Sequence, residues 1–260
     1  MDTAAVLTLL QDVAAEVINP RFRALAEEQV TEKNPGDLVT VADHESEVLI
    51  TAALRAAYPD ALVLGEEAMS ADASLLDRFA AADHAFTVDP VDGTKNFVHG
   101  SPDHAVMVAE VRGGETTRGW IWQPQHATSY VAERGAGAWR NGERLRVTAA
   151  APAVPFRTAR RAWVGSDLGS LGALELTWAC CGVDYPHLIA GDARALVYSR
   201  GMPWDHLPGA LILTEAGGVI GQHDGTPYLP QAPVDGLVAA PDRATYDAVL
   251  AALAAPAWQR

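Results

Sequence analysis

Asp89-Pro90-Val91-Asp92-Gly93-Thr94-Lys95-Asn96-Phe97 sets two carboxylates three residues apart and follows them with a Gly-Thr turn. Immediately upstream, Ala85-Phe86-Thr87-Val88 reads as a short buried strand. A strand ending in Asp-x-x-Asp-Gly-Thr throws both carboxylates to one side and leaves free backbone N–H groups just beyond them. Carboxylates hold hard cations such as Mg²⁺, and free N–H groups at a helix start hold phosphate. The run therefore brings metal and phosphate together, which is what metal-assisted phosphoryl transfer requires.

Working outward, the chain alternates helical and strand patterns, so the fold class is α/β (α+β). Upstream, Asp2 or Thr3 caps a first helix carrying Val6, Leu9, Leu10, Val13 and Val17 on one face. Asn34-Pro35-Gly36 is a turn, and Asp43 is expected to cap a second helix that ends at Tyr58-Pro59. Ala61 to Leu64 is a buried strand that delivers the loop Gly65-Glu66-Glu67. Downstream come strands around His104–Val111, Gly119–Trp122 and Ser129–Glu133, then a hairpin at Asn141-Gly142. Ala149 to Pro155 is Ala/Pro-rich and divides the chain into halves 1–148 and 149–260. The second half is expected to hold strands at Arg161–Val164, Ala195–Tyr198 and Val234–Ala239. Its helices are placed at Tyr185–Ala190, at His206–Ala216 after Trp204-Asp205, and at Arg243–Leu253, with 256–260 a loose tail.

Composition sets the outer bounds. With 49% hydrophobic and 20% charged residues, 260 positions suit an ordinary globular fold. The net charge of −14, with no Lys/Arg-rich stretch, argues against a nucleic-acid surface. An acidic protein repels anionic substrates, so a cation must mediate any phosphate binding. Two adjacent cysteines, Cys180 and Cys181, make neither a disulfide framework nor a zinc site. A start without a basic region and no apolar run of about 18 residues point to a cytoplasmic protein without a membrane span.

Four acidic groups share one placement: Glu66, Asp89 and Asp92 follow strands, and Asp205 precedes a helix. Strand ends and helix starts are where a mixed fold builds ligand sites. Singly, each has a plainer reading as a solvated loop, a turn or a helix cap; as a set they point to a metal centre.

Four motifs in order, covering nearly the whole chain, then carry a resemblance. They are Asp37-Leu38-Val39-Thr40-Val41-Ala42-Asp43, Gly65-Glu66-Glu67, the Asp89–Phe97 run, and Trp204-Asp205 with Glu215-Ala216-Gly217-Gly218. The chain resembles the inositol monophosphatase-like family of Mg²⁺-dependent, lithium-sensitive phosphatases. The resemblance implies a layered αβαβα sandwich of the sugar-phosphatase type, a homodimer, and two or three Mg²⁺ ions. By the same resemblance, the metal ligands are Glu66, Asp89, the Val91 carbonyl, Asp92 and Asp205. The catalytic residues are Asp43, Thr94 and Glu66, with Asp43 and Thr94 orienting the attacking water. The substrate-binding residues are Asp92, Gly93, Thr94 and Asp205. The expected reaction is hydrolysis of a small phosphorylated polyol or sugar-like alcohol. The alternatives are 3′-phosphoadenosine 5′-phosphate, histidinol phosphate or fructose 1,6-bisphosphate as substrate, or a catalytically silent metal- or metabolite-binding regulator.

Departures from the family pattern gather in the second half. Asp167 to Gly172 leaves room for only a stub of helix. Tyr198 falls where inositol phosphatases place an acid that meets ring hydroxyls. Cys180 and Cys181 fall near the substrate wall and read as small buried hydrophobes. Lys33 either closes over phosphate or is a solvated loop lysine, and Lys95 and Arg200 would favour a second anionic group if they formed a basic pocket.

Overall fold

Helix α1 (Thr3–Val13) starts at Asp2, whose carboxylate accepts from Ala5 N at 2.8 Å. The computed structural model describes residues 1–230 and 233–255, so the expected tail at 256–260 lies outside the described residues. The helix runs on through a wider π-type turn, Ala14–Ile18, which keeps Val17 buried. A hairpin not foreseen from the sequence follows, β1 (Val30–Asn34) and β2 (Asp37–Thr40). Helix α2 (Val41–Ala57) is capped by Thr40 rather than Asp43. Asp43 is its third residue and reaches back to Thr40 N at 2.9 Å, closing a capping box. Strand β3 (Leu62–Gly65) leads straight into α3 (Glu66–Ala71), so Glu66 and Glu67 lie in a first helical turn, not a loop.

After α4 (Ser74–Ala81) come β4 (His84–Asp92), α5 (Thr94–Val98), β5 (Ala105–Arg112), β6 (Glu115–Gln123), β7 (Thr128–Glu133), β8 (Gly137–Arg140) and β9 (Glu143–Leu145). Strands β3 to β9 form one sheet in chain order, antiparallel apart from the β3–β4 pair. The second sheet has the order β11-β10-β12-β14-β13. Its strands are β10 (Phe156–Thr158), β11 (Leu174–Leu176), β12 (Leu196–Tyr198), β13 (Val219–Gln222) and β14 (Leu237–Ala240). The strand expected at Arg161–Val164 is instead β10, one turn earlier, and Arg161–Trp163 forms a 3₁₀ turn. Between residues 167 and 172 only a 3₁₀ turn forms, as the short segment predicts. Helix α6 (Cys181–Ala190) precedes β12. Helix α7 (Pro203–Glu215) takes Asp205 as its third residue rather than as a cap, and α8 (Arg243–Leu253) closes the described chain.

Three of the four apolar clusters among the described residues stack these layers. Val6, Leu10, Ile50 and Leu54 of α1 and α2 pack on Phe86, Val88, Val106 and Val108, one face of the first sheet. Met107, Ile121 and Ala132 on its other face pack with Leu188 of α6 and Leu211 of α7, and these reach Leu196, Leu237 and Ala239 of the second sheet. The far face of that sheet, Phe156, Val197 and Val238, is covered by Tyr246, Val249 and Leu253 of α8. The layers are helix, sheet, helix, sheet, helix, the αβαβα arrangement. No described helix is long and apolar enough to cross a membrane.

Candidate active site

The Asp89–Asp92 spacing works through a defect in β4. On a regular strand, residues three apart face opposite sides. Here Asp89 pairs with Met107 and Asp92 with Ala105, so three steps on β4 match two on β5. The extra residue is a bulge, and it re-aims Asp92 to the face that Asp89 uses. Pro90 suits this position because a bulge leaves an N–H without a ladder partner. Met107 and Ala105 face the α6–α7 layer, and so do both acids. From that layer α7 supplies Asp205, and one carboxylate oxygen from each of Asp89, Asp92 and Asp205 lies within 4.8 Å of the others. Gly93 ends the bulged strand with φ +80°, where a Cβ would stand 3.0 Å from Asp103 O and from Cys180 Cβ.

Asp43 enters from α2. Its Oδ2 accepts from Thr40 N (2.9 Å) and Thr40 Oγ1 (2.6 Å), which leaves Oδ1 for Thr94 Oγ1 at 3.0 Å. The Thr94 hydroxyl is also 3.0 Å from the Val91 carbonyl. One turn along α2, buried Glu47 accepts from Glu67 N (2.8 Å) and Ala68 N (2.9 Å) and so fixes the first turn of α3. Lys33, on β1, is neither free nor solvated: its Nζ is 2.9 Å from Glu66 Oε1 and 2.8 Å from Glu67 Oε1.

The opposite wall is the turn before α6. Asp92 Oδ2 accepts from Gly182 N at 2.5 Å and from Cys180 Sγ at 3.0 Å. Cys180 is buried as expected, but its thiol also holds an acid of the cluster, so it is more than filler. Gly182 is required by this approach, since a Cβ there would fall 2.5 Å from Ala105 Cβ. Tyr198 is 2% exposed and its hydroxyl donates to Asp184 Oδ2 at 3.1 Å, which points it into the core. Beside it, His206 Nδ1 meets Tyr185 Oη at 2.9 Å and packs the first turn of α7. Lys95 and Arg200 are exposed, and the Arg200 charge acts on Asp205.

Crowding so many acids raises their pKa values. Burial, then the charges of Glu66, Asp92, Asp205 and Asp43, lift Asp89 well above the usual carboxylate range. Burial, then Glu66 and Asp92, do the same to Asp205, which lies within hydrogen-bonding reach of Asp89. Burial brings Asp92 to about 6 against the pull of the Gly182 N–H and the Cys180 thiol, and brings Asp43 to about 6. Burial brings Glu66 to about 7 despite Lys33. Burial opposes the Lys33 charge, yet Glu66 and Glu67 hold it above the ordinary lysine range. Asp89 Oδ1 is buried with no hydrogen-bond partner. An orphan oxygen among hard oxygen donors that repel one another fits a divalent cation.

The fold thus brings Asp43, Glu66, Asp89, Asp92, Thr94 and Asp205 into one neighbourhood, and leaves Lys95 at the surface. Sequence reasoning missed Glu47 and Asp184. Glu47 had a signal, for it lies four residues after Asp43 on the same helical face. Asp184 had none, because its partners are known only once the wall turn is folded.

Residues 2–257 match the profile of the inositol monophosphatase family. The chain is 32% identical over 232 residues to the Nus factor SuhB of Pseudomonas aeruginosa, covering 82% of each protein. It is 33% identical over 211 residues to the inositol-1-monophosphatase of Mesorhizobium japonicum, covering 76% of each. Its structure superposes on the Thermotoga maritima IMPase with a TM-score of 0.80 at 26% identity, covering 96% of this chain and 94% of that one.

Proposed function

Because the chain belongs to the inositol monophosphatase family and is a phosphoric monoester hydrolase, we propose that its cation is Mg²⁺ and its substrate a small phosphorylated polyol or sugar-like alcohol. The observation that carries this reading is the orphan Asp89 Oδ1 inside the Asp89–Asp92–Asp205 cluster, with the Thr94–Asp43 pair beside it.

Glu66, Asp89 and the Val91 carbonyl would hold one ion, and Asp89, Asp92 and Asp205 a second, with Glu66 also reaching a third through water. Bound divalent cations polarise the phosphate and bring the pKa of water toward neutrality. The residues do the rest. Thr94 Oγ1, 3.0 Å from Asp43 Oδ1, orients the attacking water and relays its proton to Asp43. With Asp43 at about 6, that carboxylate is free to act as a base near neutral pH. The Gly93 and Thr94 N–H groups take phosphate oxygens, while Asp92 and Asp205 face the leaving alcohol. In this scheme residues 1–148 supply most of the ligands, and 149–260 supply Asp205 and the substrate wall. A homodimer in the cytoplasm belongs to the same proposal.

The test is phosphate release from inositol 1-phosphate, histidinol phosphate, 3′-phosphoadenosine 5′-phosphate, fructose 1,6-bisphosphate and glycerol 2-phosphate, with and without Mg²⁺. Mg²⁺-dependent release led by a polyol monophosphate supports the reading. A ranking led by a bisphosphate moves the substrate to that class. Release that is indifferent to Mg²⁺ overturns the role given to the acid cluster.

A further inference from the structure

Asp184 is 1% exposed and has no part in the scheme above. Its carboxyl group accepts from Trp178 N at 2.9 Å, from the Tyr198 hydroxyl at 3.1 Å and from the Thr177 side chain. Its own N–H donates to Cys180 O at 2.8 Å. Asp184 thus grips the Thr177–Gly182 segment at its start, through Thr177 and Trp178, and at its middle, through Cys180. The turn needs gripping, because Ala179 has φ +57° without being glycine. On its outer side, Asn96 Nδ2 donates to Trp178 O and to Asp103 O, each at 2.8 Å. On its inner side it presents the Cys180 thiol and the Gly182 N–H to a single oxygen, Asp92 Oδ2.

We propose that Asp184 is a positioning residue for the cation centre. By pinning the Thr177–Gly182 turn, it holds the Cys180 and Gly182 donors on Asp92 and so fixes that carboxyl's orientation toward Asp89 and Asp205. The inference rests on reading Asp92 as a cation ligand. It gives Tyr198 a role away from substrate: its hydroxyl serves Asp184, so removing it changes cation binding and not the ranking of substrates. A merely structural Asp184 would move thermal stability alone.

The experiment measures Mg²⁺ binding by calorimetry without substrate, and phosphate release with it, on the full chain. Asp184→Ala is expected to weaken Mg²⁺ by about 10- to 100-fold, the usual effect of losing a partner that orients a ligand. It should lower kcat while changing the KM for phosphoester by less than about threefold. Asp184→Asn accepts from Trp178 N–H with its oxygen and donates to the Tyr198 oxygen, so it should recover most of the affinity. Tyr198→Phe should fall between the two. An Asp184→Ala affinity within twofold of wild type overturns the proposal, as does an asparagine variant as impaired as alanine. Should Asp184→Ala not fold, Cys180→Ala decides: it removes one donor from Asp92 directly, so weaker Mg²⁺ binding supports the proposal and unchanged binding overturns it. Wild-type protein that binds Mg²⁺ yet releases no phosphate refutes the functional reading instead, and leaves the positioning claim to the calorimetry.

Discussion

Replacing Asp92 with asparagine removes one negative charge from a cluster in which Glu66, Asp89 and Asp205 stand close by. Asp92 is held at about 6 in the fold against an ordinary 3.8, chiefly by burial. A folded pKa raised by about 2 units means that ionising this group costs the metal-free fold about 3 kcal/mol. The sign follows from proton counts. Below the ordinary value both states are protonated and there is no penalty. The penalty grows as pH rises through the window from about 4 to 6, and is complete above it. Asparagine escapes that penalty, and because the pull of the Gly182 and Cys180 donors is already included in the value of about 6, the gain at pH 8 is up to about 3 kcal/mol. For a chain of this size that raises Tm by up to about 6–12 °C. The assay is thermal unfolding at pH 8 and pH 4, with chelator or with Mg²⁺. With chelator the variant should be the more stable at pH 8 and should lose that advantage at pH 4. With Mg²⁺ the order should reverse, since the variant keeps only the ion proposed on Glu66, Asp89 and the Val91 carbonyl and so gains less binding energy, and it should have no turnover. A variant less stable than wild type in chelator at pH 8 would refute the account of the cluster, and retained turnover would refute the role given to Asp92.

Three further outcomes are expected. Thr94→Ala removes the hydroxyl beside Asp43 and should lower kcat by about 10²-fold with little change in KM; a pure KM effect in steady-state kinetics would make Thr94 a binding group only. Lys33→Met frees Glu66 of its ammonium partner and should tighten Mg²⁺ binding severalfold by calorimetry, whereas weaker binding would show that Lys33 supports the cation site rather than competing for it. Glu66 at about 7 and Asp92 at about 6 must both lose protons before they can hold a cation. Mg²⁺ affinity should therefore fall as pH drops from 8 to 5.5, with proton release on binding, and an affinity flat across that range would contradict the raised values.

The sequence points to Asp89 and Asp92 meeting on one side of the fold, but not to how they do so. Alternation along a strand sends them to opposite faces, and only the bulge against β5, a pairing between distant segments, reconciles them. Long periodic elements such as α2 and α8 are legible because their burial repeats several times over. Strands β10 and β11, three residues each, hold too little pattern to be seen, which is why the strand before the wall was expected a turn too late. Thr40 and Asp43 are both good caps, and the choice between them falls to the capping box that also aims Asp43 at Thr94. Glu47 and Asp184 bind backbone N–H groups of remote turns, and those turns exist only in the folded chain.

Helix α7, lying between the two sheets, has a consequence for how the protein is made. Asp205 joins Asp89 only after a loop of more than a hundred residues has closed, and the entropy of that closure is recovered mainly by docking α6 and α7 on Met107, Ile121 and Ala132. Until those helices leave the ribosome, the first sheet has one apolar face bare and its acids incomplete. Of the two ions proposed, only the one shared by Asp89, Asp92 and Asp205 must wait for α7, and the bare face needs protection from self-association until that helix has emerged. Closure of the Asp89–Asp92–Asp205 cluster is therefore a late event that reports completed folding.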